Sequence, residues 1–380
     1  MTSSGPAPAG GEAARTERLR EILGRRHLPA LDGLRALAVT GVLIQHFDGP
    51  VAAFPGDLGV SFFFVLSGFL ITWILRREWL ATGTVSLRQF YARRTLRIFP
   101  AYYAFLALAY ANAHFRLGDW PPGLTLSALT YTLNYYLPWN GESLGIGHLW
   151  SLAVEEQFYL IWPTLLIVLA SRGRRALLYG LAIMIAAVLA WRTFLVLSGS
   201  GTFEYAYVAF DTRFDNLAIG CLLAVGLESE PWRRLGAAAA RFAWLPIPVL
   251  AALVVSRVGI SDRYHFSVGF TVEALLMATL LVQMLQLQAR RAWRWLELRP
   301  LRFVGRVSYS AYLFSFLGPH SAQRLLFLPL PLRVLAGIAI SVGLASFMYF
   351  VVERPFLALK EPLTRRLRPG PPVAEEAGRA

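Results

Sequence analysis

Apolar runs close to 20 residues long, separated by short arginine-rich segments, recur from residue 31 almost to the end of the chain. A run of that length crosses the hydrocarbon core of a bilayer as a helix. The pattern predicts spans over roughly 31–48, 58–75, 98–115, 151–170, 176–197, 214–228, 243–258, 267–287, 308–328 and 332–352. The run 124–138 is shorter and more polar, and is expected to lie as an interfacial or re-entrant helix. The expected fold class is all-α: a polytopic transmembrane helical bundle of about ten spans plus that one helix. Residues 1–30, small and then basic, are expected to form a cytoplasmic tail without the apolar core of a cleavable signal peptide. Residues 31–360 make the transmembrane domain, and the proline-rich stretch 361–380 is expected to be a disordered cytoplasmic tail.

Composition agrees with this reading. Of the 380 residues 56% are hydrophobic and only 16% charged, against about 25% charged in a soluble domain; the mean hydropathy is +0.48. The single cysteine, Cys221, rules out an intramolecular disulfide, and no base stands beside it in sequence to support thiolate chemistry. A net charge of +14 is in principle a cue for nucleic acid, but its distribution is the inside-positive bias of membrane proteins. With the N-terminus inside, 29 of the 37 basic residues fall in cytoplasmic segments and six outside. The expectation is a multi-pass protein of the cell (inner) membrane, both termini cytoplasmic, with the lipid bilayer and no nucleic acid as partner. No internal repeat marks an inverted-repeat transporter.

Charge inside the spans is where chemistry is expected, because ionisable groups are costly there. The first span, LDGLRALAVTGVLIQHF (31–47), carries Arg35 near its inner end and His46 near its outer end. Eleven residues make almost three helical turns, so the two side chains share one face, roughly 16 Å apart along the axis. They are expected to line one shared hollow. On the inner side Arg93, Arg94 and Arg97 in RQFYARRTLR (88–97) join Arg35 as a candidate anion site, since guanidinium groups bind phosphate bidentately. On the outer half, Glu155 and Glu156 begin the fourth span and Arg213 and Asp215 the sixth. A carboxylate beside His46 can orient it as a general base, and the adjacent glutamates point about 100° apart, so one of the two is expected to face inward. Arg213 and Asp215 read first as a structural ion pair at the interface. Ser61, Ser67 and Gly68 read first as small residues for close helix packing; Ser67 lacks a nucleophile elbow. The histidines have no H-E-x-x-H spacing, and no phosphate-binding loop or dinucleotide fingerprint occurs, so no metal or nucleotide site is expected.

Together these pieces resemble a known family, the acyltransferase family 3 membrane proteins, which are O-antigen acetylase-type transferases. The resemblance rests on Arg35 and His46 at R-x10-H spacing, GVSFFFVLSGFLIT (59–72), FYARRTLRIFPAYY (90–103), LWSLAVEEQFYLIWP (149–163), RFDNLAIGCLLA (213–224), GRVSYSAYL (305–313) and FVVERPF (350–356), in that order. It implies transfer of an acyl group, acetyl being the expected one, from cytoplasmic acyl-CoA to a sugar hydroxyl of an envelope polysaccharide, glycolipid or glycosylated metabolite. Acyl-CoA would be a co-substrate, with no tightly bound cofactor. It also implies catalytic roles for His46, Glu155 and Glu156, acyl-CoA binding by Arg35, Arg93, Arg94 and Arg97, and substrate contacts from Ser67, Trp150, Arg213 and Asp215. One departure stands out: Ser315 occupies the place where the family often has histidine, and His320 lies five residues further on. The alternative from another class is a transporter or flippase of an anionic envelope lipid.

Overall fold

The computed structural model describes residues 10–25, 28–48, 53–141, 143–288 and 290–359, and within them every regular element is helical. The tail 361–380 lies outside the described residues. Residues Gly10–Gly24 form a helix, α1, that packs Leu19 and Ile22 against the bundle, so this part of the expected tail is docked.

The central element is α2 (Pro29–Gln45). It opens on a proline, whose missing N–H costs nothing in the first turn. It is followed by α3 (Asp57–Thr82), α4 (Leu87–Leu117), α5 (Pro122–Leu129), α6 (Leu133–Asn140), α7 (Gly147–Ser171) and α8 (Arg174–Ser198). Then come α9 (Phe203–Val208), α10 (Phe210–Gly226), α11 (Glu230–Ala239), α12 (Pro246–Val258) and α13 (Asp262–Leu287). The chain ends with α14 (Arg299–Arg306), α15 (Ser308–Leu313), α16 (Leu317–Gln323) and α17 (Leu330–Ala358). By length and composition five of these can cross a membrane: α3, α7, α8, α13 and α17.

The arginine-rich segment 88–97 opens α4: Ser86 caps the helix by accepting from the Gln89 N–H, and it runs unbroken into the apolar stretch. Two expectations change. The run 124–138 is two short helices, parted at Tyr131, whose φ is 55°. The stretch 308–328 is not one continuous helix. Pro319 has no N–H to give the Ser315 carbonyl, and the chain breaks between α15 and α16.

Helices α3 and α10 cross closely. A Cβ on Gly68 would lie 1.9 Å from the Leu217 carbonyl oxygen, and one on Gly220 would lie 2.0 Å from that of Val65. Gly68 therefore serves close packing, as the sequence suggested. Gly220→Val should destabilise the bundle by about 1–3 kcal/mol or more, read as a lowered thermal unfolding midpoint in detergent.

Candidate active site

Two cavities lie along α2, one at each end. The inner one has a volume of about 580 Å³ and the outer about 440 Å³. The inner cavity is lined by Arg35, Arg93, Arg94 and Arg97, as the spacing suggested, and also by Arg306. It is of the size that holds a drug-sized ligand. Arg35 is held from the side, its Nε donating to Ser308 Oγ at 3.1 Å. Arg93 is braced by Gln89 (3.2 Å) and Glu78 (3.6 Å), and Arg94 lies 4.7 Å over the Tyr159 ring. Five guanidinium groups line this cavity against the three carboxylates of Asp32, Glu155 and Glu156, which leaves an excess of positive charge suited to an anion.

Glu155 and Glu156 both line this inner cavity. That corrects two expectations, because they sit with the arginines and not beside His46, and both face inward rather than one. Glu155 lies eight residues into α7, roughly 12 Å below its outer start. Ser67 Oγ donates to Glu155 Oε1 at 2.8 Å, and the Tyr159 hydroxyl reaches Ser67 Oγ at 3.1 Å and Glu155 Oε2 at 3.3 Å. A row of hydroxyls and a carboxylate thus climbs an otherwise apolar wall.

His46 and Trp150 line the outer cavity, with Gln45, His148, Glu204 and Tyr207. His46 Nδ1 lies 2.8 Å from the Val42 carbonyl. A carbonyl only accepts, so the proton is on Nδ1 and Nε2 keeps its lone pair. The orienting group expected to be a glutamate is therefore a backbone carbonyl one turn back. The expected single hollow is in fact two. Val60 and Tyr312 line both cavities and form the partition between them. The Tyr312 hydroxyl donates to the His148 carbonyl at 2.9 Å and lies 2.6 Å from Ser151 Oγ.

Arg213 and Asp215 do not pair. Asp215 is held bidentately by the fully buried Arg192, with both contacts at 2.9 Å. Arg213 is enclosed by rings instead, 3.6 Å from the Phe270 centroid, and donates to Ser61 Oγ at 3.2 Å. Neither residue lines either of these two cavities; Arg213 stands behind Trp150 and Tyr207, which wall the outer one. Ser315 is buried with its hydroxyl unpartnered, while His320 stacks on Phe316, whose other neighbour is His46. At the outer rim Asp211 is taken up by Tyr135, Tyr205 and Trp191. Burial, and then the Asp211 carboxylate beside it, push the Tyr205 phenol up to about 12, so it remains a donor at neutral pH.

Sequence reasoning missed Arg306, Tyr309, Tyr312, His148 and Glu204. Arg306 reads as one more inside-positive charge, and His148 as a lone residue before a span. Among the described residues no group of three or more metal-ligating side chains forms.

Residues 28–350 match the family model described as an acyltransferase domain. Over 319 residues the chain is 30% identical to the O-acetyltransferase OatA of Staphylococcus aureus (strain NCTC 8325 / PS 47), covering 79% of this chain and 52% of that protein. Over 314 residues it is 30% identical to the peptidoglycan O-acetyltransferase OatA of Listeria monocytogenes serovar 1/2a, covering 77% and 49%. Over 354 residues it is 30% identical to the putative peptidoglycan O-acetyltransferase YrhL of Bacillus subtilis (strain 168), covering 87% and 55%. The chain spans about half the length of the curated relatives it matches. No solved structure matches it.

Proposed function

This chain belongs to the acyltransferase-domain family, and on that premise we propose that it carries an acetyl group from acyl-CoA at the inner membrane face to a hydroxyl of a cell-wall polysaccharide at the outer face. The observation that carries this reading is the pair of cavities strung along α2, an arginine mouth below and a base with a free lone pair above, meeting at Val60 and Tyr312. The names of the relatives supply the acyl group and the class of acceptor.

In this reading the chain crosses the cell membrane ten times. The passes are the five long helices, α2, α4, α10, α12 and the broken pair α15–α16. Both termini lie in the cytoplasm, a reading supported by the arginine bias. Arg93, Arg97 and Arg306 hold the CoA phosphates, and Arg35 stands further in. The pantetheine arm rises past Ser67 and Tyr159, whose hydroxyls meet its amides. Tyr312 then swings aside, and the thioester reaches the partition.

There His46 Nε2 removes the proton of the acceptor hydroxyl as its oxygen attacks the thioester carbonyl. The tetrahedral intermediate collapses, the carbon–sulfur bond breaks, and the imidazolium returns its proton to the CoA thiolate. The ester leaves on the outer side and the thiol on the inner.

Purified protein in nanodiscs, given labelled acetyl-CoA and a soluble peptidoglycan disaccharide, should place alkali-labile label on the sugar. Label no higher than in empty nanodiscs would contradict the proposal. Arg93→Ala and Arg97→Ala should each raise the KM for acetyl-CoA roughly 10-fold or more, with kcat little changed, because each removes a charge-assisted phosphate contact. Saturation kinetics check this.

A further inference from the structure

The outer cavity holds a second imidazole that the transfer chemistry leaves idle. His148 Nε2 lies 3.0 Å from the Leu313 carbonyl, which fixes the proton there and leaves Nδ1 as an acceptor. His46 is arranged the same way with the nitrogens exchanged. The two rings lie edge to face, with centroids 6.2 Å apart, and both line the same cavity. Among the described residues neither remaining nitrogen has a hydrogen-bond partner. One base suffices to deprotonate one hydroxyl. The second lone pair faces the cavity, and an acceptor that displaces the water there must supply it with a donor.

We propose that the outer cavity takes an acceptor presenting two hydrogen-bond donors, as neighbouring groups on a sugar do, and that His148 Nδ1 receives the second while His46 acts on the first. This rests on the reading of His46 given above. His148 is then a positioning residue. It turns the acceptor so that one hydroxyl, and not its neighbours, meets the thioester. A site built to accept a hydrogen bond discriminates against analogues that lack it, because its own polar group is left unpaired.

The test uses the full chain in nanodiscs, acetyl-CoA, and as acceptors methyl glucoside and its monodeoxy analogues at each ring hydroxyl. Release of the CoA thiol gives kcat/KM. The wild type should use one analogue roughly three- to tenfold less well than the parent sugar. That ratio should collapse toward one in His148→Ala and persist in His148→Gln, whose amide can both donate to the Leu313 carbonyl and accept from the sugar. His148→Phe, which keeps the ring volume, serves as the acceptor-free variant if alanine impairs folding. An unchanged ratio in the acceptor-free variant, or an equal loss of kcat on every sugar, overturns this inference alone. A wild type that acylates none of the sugars overturns it together with the reading it rests on.

Discussion

Replacing His46 with alanine will lower the rate of acyl transfer by roughly 10²–10⁴-fold, the range typical for loss of a positioned general base. Binding of acyl-CoA will persist, because the arginines lie in the other cavity. The loss should therefore fall on kcat and leave the KM for acetyl-CoA near its wild-type value. The Val42 carbonyl makes the expectation sharper. It holds the proton on Nδ1 and so fixes which nitrogen is the base. His46→Gln can keep that bond without supplying a base, and should be as slow as alanine. Steady-state kinetics with equilibrium CoA binding on the same preparations separate the two effects. A variant that turns over at the wild-type rate would remove His46 from the chemistry.

Arg192→Ala should cost about 3–5 kcal/mol of stability, the range for breaking a buried ion pair by removing one partner. Both side chains are fully buried. Asp215 would keep only Thr271 and its neighbour's N–H as donors. Arg192 also donates to the Ser267 carbonyl, at 2.6 Å, and so ties α8 to α13 beside a π-helical turn at His265–Gly269. The double replacement Arg192→Met with Asp215→Leu should recover most of the loss, because no uncompensated charge remains. Thermal unfolding in detergent measures both. A double variant no more stable than Arg192→Ala would show that the cost lies in packing.

Helical periodicity set Arg35 and His46, eleven positions apart, along one side of α2, and each lines a cavity beside that helix, though not the same one. The convergence of Arg93, Arg94 and Arg97 was legible for the same reason. What the sequence hid came from tertiary packing and depth. Arg213 and Asp215 are two positions apart, so on one helix they point about 200° from each other and cannot face; the partner came from α8. Glu155 looked superficial because α7 begins eight residues earlier than the carboxylate. Tyr312 was unreadable as a partition, since its place depends on the break between α15 and α16 and on its hydroxyl's contacts with His148 and Ser151 at the start of α7. Of the ten expected spans five stand out by length and composition, while α2, α10 and α12 are shorter and α4 carries its arginines within the helix itself.

The central claim is that donor and acceptor enter from opposite faces and meet at Val60 and Tyr312. Sealed proteoliposomes, sorted by orientation, test it most directly. Membrane-impermeant labelled acetyl-CoA is supplied to one face and a sugar acceptor to the other. The account predicts labelled sugar only when acetyl-CoA is on the face bearing Arg93, Arg97 and Arg306. Label that forms only when both substrates share a face, or equally from either face, would contradict it.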